Sequence, residues 1–307
     1  MKLNIAAGVI FSVLTFAAQG GAERPMRILI VNDDGCQSMG STSLQDKLTA
    51  KGFEVWLSAP ASNQSGIGSA ITYKPGAIFD VKKVGNKRYC FPGTPADALD
   101  FALLGLLRGT PPDLVVSGVN DGPNTGMAQI NSGTVSAAAR AVRYGYPAIA
   151  VSIGVIPSPQ EMAAGWPATK KHWPDAVDYT VNRVVELAKQ WHPQQSLLPA
   201  GTGLSINYPP LSASEIKGIK YIHSPQYLRP QLEYKILPDG KAQQFIAKEV
   251  LQPTTDNSDT GWLDRGYITY TVIDGNISNT AYDQQYQQRL DRNILPIPEI
   301  KNSTGDK

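Results

Sequence analysis

Two carboxylates, Asp33 and Asp34, stand side by side in Asn-Asp-Asp-Gly, where the apolar run MRILIVN at 26–32 ends. Adjacent carboxylates at a strand tip repel each other, and a site that holds them close favours a hard cation that neutralises both. Asp and Gly also make ordinary solvated turns, so this segment alone does not decide. A second cluster, Asn63-Gln64-Ser65-Gly66, follows Pro60 and offers neutral oxygens, although such clusters are more often plain loops. A third, SGVNDGPNTG at 117–126, leads to Ser132-Gly133-Thr134. A glycine-dense loop entering a helix start gathers free backbone N–H groups and the positive end of the helix dipole, which suits a phosphate. Neither GxxxxGK[ST] nor GxGxxG occurs, so NTP hydrolysis and dinucleotide binding lose support. The three histidines, His172, His192 and His223, lie outside these clusters with no second His or Cys at ligand spacing, and read as surface or packing residues. Oxygen ligands without His or Cys select Mg²⁺, Mn²⁺ or Ca²⁺ over zinc.

Each cluster sits where an expected strand ends. Residues 26–32 read as a buried parallel strand, 43–51 as a helix with Leu44 and Leu48 at helical spacing and Gly52 closing it, and 53–59 as a strand stopped by Pro60. The rhythm repeats: strand 87–91, helix 95–107 capped by Thr94 with Pro95 in its first turn, strand 113–117, helix 132–144, strand 148–153, helix 173–190 and a short strand 204–207. Such alternation predicts an α/β fold, a three-layer, doubly wound, mostly parallel sheet of Rossmann-like type. In open sheets of this type ligands bind beyond the carboxyl ends of the strands. Pro238-Asp239-Gly240 predicts a hairpin projecting from 226–250 and packing on a second subunit, 267–273 reads as a last strand, and 282–307 as a tail with a short helix. No internal repeat or linker divides 23–307, which reads as one domain.

Composition narrows the partners. The net charge is +2, from 28 basic and 26 acidic side chains without long runs. Binding to a nucleic-acid polymer rests on clustered cations, so that class is excluded as the main partner. Lys2, the apolar stretch 5–18 and small residues at Gly20, Gly21 and Ala22 read as a signal peptide over 1–22 cut after Ala22, hence an exported, periplasmic or secreted protein. No other segment reaches the roughly 18 apolar residues of a membrane span. The two cysteines, Cys36 and Cys90, could form a bridge in an oxidising compartment or remain reduced, and the bridge is the less favoured reading.

Taken together, NDDG, AP followed by NQSG, GTPADAL, SGVNDGPNTG, SGTVSAAA and the late DTGWLDRGYITYT resemble the SurE family of survival-protein nucleotidases, from Met26 to about Ile273. The resemblance implies a metal-dependent phosphatase that releases phosphate from nucleoside 5′- and 3′-monophosphates, some members also acting on short polyphosphate. By position it implies Asp33, Asp34, Ser65 and Asn120 as metal ligands, and Ser132, Gly133 and Thr134 as an anion-binding helix start. Asn124, on the same loop as Asn120, and Asn63 and Gly66 are further candidates for the phosphate. Two stretches depart from the family: Cys36-Gln37-Ser38-Met39-Gly40 replaces a His-Ala-Pro-Gly-like run, and Gln64 stands where many members have Arg. Substrate preference is what they put in question.

The expected chemistry is hydrolysis of a phosphomonoester by water, with one divalent cation (Mg²⁺ or Mn²⁺, with Ca²⁺ as a further candidate) per subunit of a homodimer or homotetramer. Asp33 is assigned the water and Asp34 the ion. A haloacid-dehalogenase-like phosphatase would need Asp-x-Asp after the first strand, which adjacent Asp33-Asp34 do not supply. The reading from another class is an exported nucleotide- or phosphate-binding protein without turnover, although such a binder gains little from two carboxylates facing its anion.

Overall fold

The computed structural model describes residues 24–193, 195–222 and 232–276. In chain order the elements are β1 (Arg27–Val31), α1 (Met39–Ala50), β2 (Glu54–Pro60), β3 (Lys82–Gly85), β4 (Arg88–Phe91), α2 (Pro95–Asp100), β5 (Leu114–Asp121), α3 (Ala128–Asn131), α4 (Gly133–Arg143), β6 (Ala148–Ile153), α5 (Pro159–Ala163) and α6 (Pro167–Ala188). There follow β7 (Gly203–Tyr208), β8 (Ile219–Ile222), β9 (Leu232–Ile236), β10 (Ala242–Ile246), α7 (Asp259–Asp264) and β11 (Ile268–Ile273). Nine strands form one sheet in the order β3-β4-β2-β1-β5-β6-β7-β11-β8, and β9 and β10 form a separate antiparallel hairpin. From β4 to β7 every pairing is parallel; β3 and β11 run against their neighbours β4 and β7.

Alternation along the strands sorts side chains to the two faces. Ile28, Ile30, Leu57, Leu114, Val116, Ile149 and Val151 pack with Leu44 and Leu48 of α1 and Val177, Val181 and Val184 of α6. Leu29, Val31, Val115, Ala148 and Ala150 pack on the other face with Leu99 of α2 and Val135, Ala137, Ala138 and Ala141 of α4. Each such fully buried Val, Leu or Ile contributes roughly 1.5–3 kcal/mol. The expected three layers are present.

Chain order places the ligand crevice. From β1 the chain builds outward through β2 and β4, then returns to lay β5 on the other side of β1. A crevice opens at such a reversal, beyond the carboxyl ends of β1 and β5.

Several elements depart from the sequence reading. Helix α1 begins at Met39 rather than 43, because small Gly40 and Ser41 are buried in its first turn. Strand β5 runs to Asp121, past the expected end at 117, with a register shift between Ser117 and Asn120. The helix expected to 107 turns from α to π geometry over Phe101–Leu106. Helix α6 starts at Pro167 and passes through Pro174. Thr94 caps α2 as expected, within a full capping box completed by Asp97. Cys36 and Cys90, read as more apt to stay reduced, are joined in a disulfide. The arms of the expected hairpin pair around Pro238-Asp239-Gly240, whereas 223–231, with His223, the leader 1–22 and the tail 282–307 lie outside the described residues. Among the described residues no helix is long and apolar enough to cross a membrane.

Candidate active site

Asn32 shapes the turn that carries the acids. Its Oδ1 accepts from the Gly35 N–H at 2.9 Å, and its Nδ2 donates to the Gly35 carbonyl at 3.0 Å and to Ser38 Oγ at 2.9 Å. Ser41 Oγ, also bonded to Asn32, donates to the Gly118 carbonyl at 3.0 Å and so ties this turn to β5.

Asp33 is buried at the start of α4. Its Oδ2 accepts from the Gly133 N–H at 3.1 Å and its Oδ1 from the Thr134 hydroxyl at 2.5 Å. Asn120 Oδ1 stands 3.1 Å from that hydroxyl, which has one proton to share between the two acceptors, while Asn120 Nδ2 donates to the Gly122 carbonyl at 2.7 Å. The amide is thereby turned with its oxygen toward Asp33. Asp34 is less committed: its Oδ2 accepts one bond, from the Asp121 N–H at 3.2 Å.

Burial pushes the Asp33 carboxyl above its ordinary range, against the hydrogen bonds from Thr134 and Gly133. Asp34 is pushed up to about 7, by burial first and then by the charges of Asp33 and Asp121. No cation figures among the influences on either acid. A like-charged pair with one member buried and the other half-buried, and no cationic side chain beside it, is costly unless a cation joins it. No group of three His, Cys, Asp or Glu suited to a metal occurs among the described residues, so an ion here needs neutral oxygens to complete its shell. The Asn120 amide oxygen is one. Two carboxylates with neutral oxygens fit a hard divalent cation.

The segment from Asn63 to Gly66 is exposed and lies against the acids through its backbone: the Gln64 N–H donates to the Asp33 carbonyl at 2.7 Å, and the Ser65 N–H to Asn63 Oδ1 at 3.0 Å. The Ser65 hydroxyl is therefore open to solvent beside the acids. Ser132 is buried and uses its hydroxyl as the helix cap, accepting from the Val135 N–H at 3.0 Å. Asn124 is turned elsewhere: its amide donates to Ser152 Oγ at 2.8 Å, and its backbone exchanges bonds with the Asn207 side chain. His172 pairs with Asp175 at 3.0 Å and His192 is exposed, both away from the acids.

Gly133 has no room for a side chain. A Cβ there would stand 2.7 Å from Asp33 Cβ and 2.8 Å from Pro95 Cγ. Gly133→Ala is therefore expected to cost about 1–3 kcal/mol, as overpacking does, and to push Asp33 off the helix start. Melting temperature and turnover should fall together, and a variant normal in both would refute this placement.

Asp259, in the late Asp-Thr-Gly segment, was not singled out from the sequence. Fully buried, it accepts from the Gly126 N–H at 2.9 Å, from Gln129 Nε2 at 3.1 Å and from the Thr260 N–H at 2.9 Å, while Thr260 Oγ1 donates to Thr125 Oγ1 at 2.8 Å. It clasps the far end of the loop that begins at Asn120. Asn207 was missed as well, although a polar residue at the carboxyl end of a parallel strand was the available signal.

Comparison with known proteins extends these observations. A family model described as "Survival protein SurE" matches residues 28–228. The chain is similar to proteins named 5′-nucleotidase SurE, one from Jannaschia sp. (strain CCS1), 32% identical over 269 residues that cover 84% of this chain and 97% of that one. Another, from Microcystis aeruginosa, is 30% identical over 287 residues, covering 89% and 98%. The crystal structure of the Sure protein from Aquifex aeolicus matches with a TM-score of 0.68 at 27% identity, covering 86% of this chain and 99% of that chain.

Proposed function

This chain belongs to the SurE family, and from that premise we propose that it is a divalent-metal-dependent phosphomonoesterase converting nucleoside 5′-monophosphates, and 3′-monophosphates as a second class, to nucleoside and phosphate. The observation that carries the reading is the Asp33-Asp34 pair, Asp33 buried and Asp34 half-buried, without a cationic partner and set against the start of α4. The nucleotidase names of the relatives support it.

Asp33, Asp34, Asn120 and Ser65 would hold the ion, Mg²⁺ or Mn²⁺ by the hardness of these oxygens, with Ca²⁺ as a further candidate. When bound, a cation of this kind neutralises phosphate charge and acidifies water. The chain's own groups do the rest. The Gly133 and Val135 N–H groups at the start of α4 are taken up by Asp33 and by the Ser132 cap, so what α4 offers a phosphate is the positive end of its helix dipole. Gly133 and Thr134 fix the Asp33 carboxylate, which leaves Asp34, with its single hydrogen bond, as the group free to orient the attacking water and accept its proton. These contacts favour reversing the shares first given to the two acids.

Phosphate release from AMP or GMP should vanish in EDTA and return with Mg²⁺ or Mn²⁺. Nucleotide binding with no release in any metal would establish the binding-protein alternative instead. The same reading makes 23–307 one exported domain cut after Ala22, and an oxidising compartment is where a bridge such as Cys36–Cys90 persists. Assembly as a homodimer or homotetramer is supported by the hairpin, where Leu232, Tyr234, Ile236, Phe245 and Ile246 are all exposed.

A further inference from the structure

Beside Asp34 opens a cleft of about 590 Å³, within the range of small-molecule sites. One wall is the turn after the acids, with Gln37 and Ser38; the opposite wall is β3 and the residues leading into it. Side chains of an extended chain alternate between faces, and Asp80, Lys82 and Val84, two residues apart, all line the cleft. Cys36 and Cys90 line it too, so their disulfide forms part of its surface. It is here that Cys36-Gln37-Ser38 replaces the usual family run.

The charges decide what fits. Asp80 and Lys82 cancel, and neither is in an ion pair among the described residues. A neutral group rich in hydroxyls and ring nitrogens finds an acceptor in Asp80, a donor in Lys82 and both in Gln37. We infer that this cleft seats the departing nucleoside, with Asp80 and Lys82 as its specificity-determining residues. This inference rests on the phosphomonoesterase reading of the adjoining acids.

The test separates the two. Adenosine, with no phosphate, is titrated calorimetrically in EDTA into the wild type and into Lys82→Ala, Asp80→Ala and Val84→Trp, the last of which fills the cleft. Each alanine variant should bind adenosine about tenfold more weakly, the worth of one charge-assisted hydrogen bond, and Val84→Trp should abolish binding. KM for AMP should rise by a similar factor, while hydrolysis of methyl phosphate, whose leaving group is too small to reach the cleft, keeps the wild-type kcat/KM. Adenosine binding untouched by all three substitutions, with AMP still hydrolysed, overturns the seat. Adenosine binding that responds as expected in a protein releasing no phosphate from either ester upholds the seat and overturns the phosphatase reading.

Discussion

Replacing Asp34 by Asn lowers phosphate release from AMP by at least about a hundredfold, the scale on which a positioned acid–base group acts, and raises the melting temperature of the metal-free protein. The two effects have one origin. Without a cation, Asp34 is a half-buried carboxylate beside Asp33, pushed up to about 7 from its ordinary 3.8. An acid whose folded pKa lies above its unfolded value binds more protons in the folded state, so stability falls as pH rises between the two values. The metal-free wild type is therefore expected to lose stability on going from about pH 5 to about pH 7, whereas the Asn variant, uncharged throughout, loses less and melts a few degrees higher at neutral pH. Added Mg²⁺ should raise the melting temperature of the wild type and leave that of the variant nearly unchanged. Calorimetric melting in EDTA across this pH range, beside a phosphate-release assay, checks both halves. Near-normal turnover would remove Asp34 from the chemistry, and a lower melting point would make it a structural residue.

The largest stability effect is expected from the disulfide. Cys36 and Cys90 are separated by 54 residues, and closing a loop of that length is worth about 4 kcal/mol by the chain-entropy estimate. For a domain of this size that corresponds to about 10 °C in melting temperature. The double variant Cys36→Ser, Cys90→Ser should show that loss while keeping most of its activity at 25 °C, because the turn holding the acids is independently closed by Asn32. Equal melting of the oxidised and double-variant proteins would show that the bridge constrains nothing the fold does not already constrain.

The legible parts of this molecule were those whose signal is local. Strands β1, β2 and β6 are mostly apolar runs, and the α2 cap is written in Thr94, Pro95 and Asp97. The acids, Asn120 and the Ser-Gly-Thr helix start could be marked because each follows a readable strand or opens a readable helix. Strand β3 could not: Lys-Lys-Val-Gly is exposed throughout at the edge of the sheet and carries no buried face to alternate. The disulfide depends on register. Ala59 pairs with Cys90 across β2 and β4, while the Cys36 N–H reaches the Pro60 carbonyl at 2.8 Å, and spacing along the chain encodes neither. Asn124 looked available for a phosphate because its partners Ser152 and Asn207 arrive from distant strands. Long-range partners decide such side chains, and a single sequence does not display them.

The Asp259 clasp bears on when the enzyme comes to life. Gly126 and Asp259 lie 133 positions apart, so during synthesis the acids, Asn120 and the α4 start emerge long before the residue that anchors the loop between them. A nascent or truncated chain ending short of 259 carries the proposed ligand residues yet leaves the loop unfastened. Under the phosphomonoesterase reading proposed above, such a chain is expected to release no phosphate, and because it also lacks β11, which lies between β7 and β8 in the sheet, its loss is one of fold as well as of the clasp.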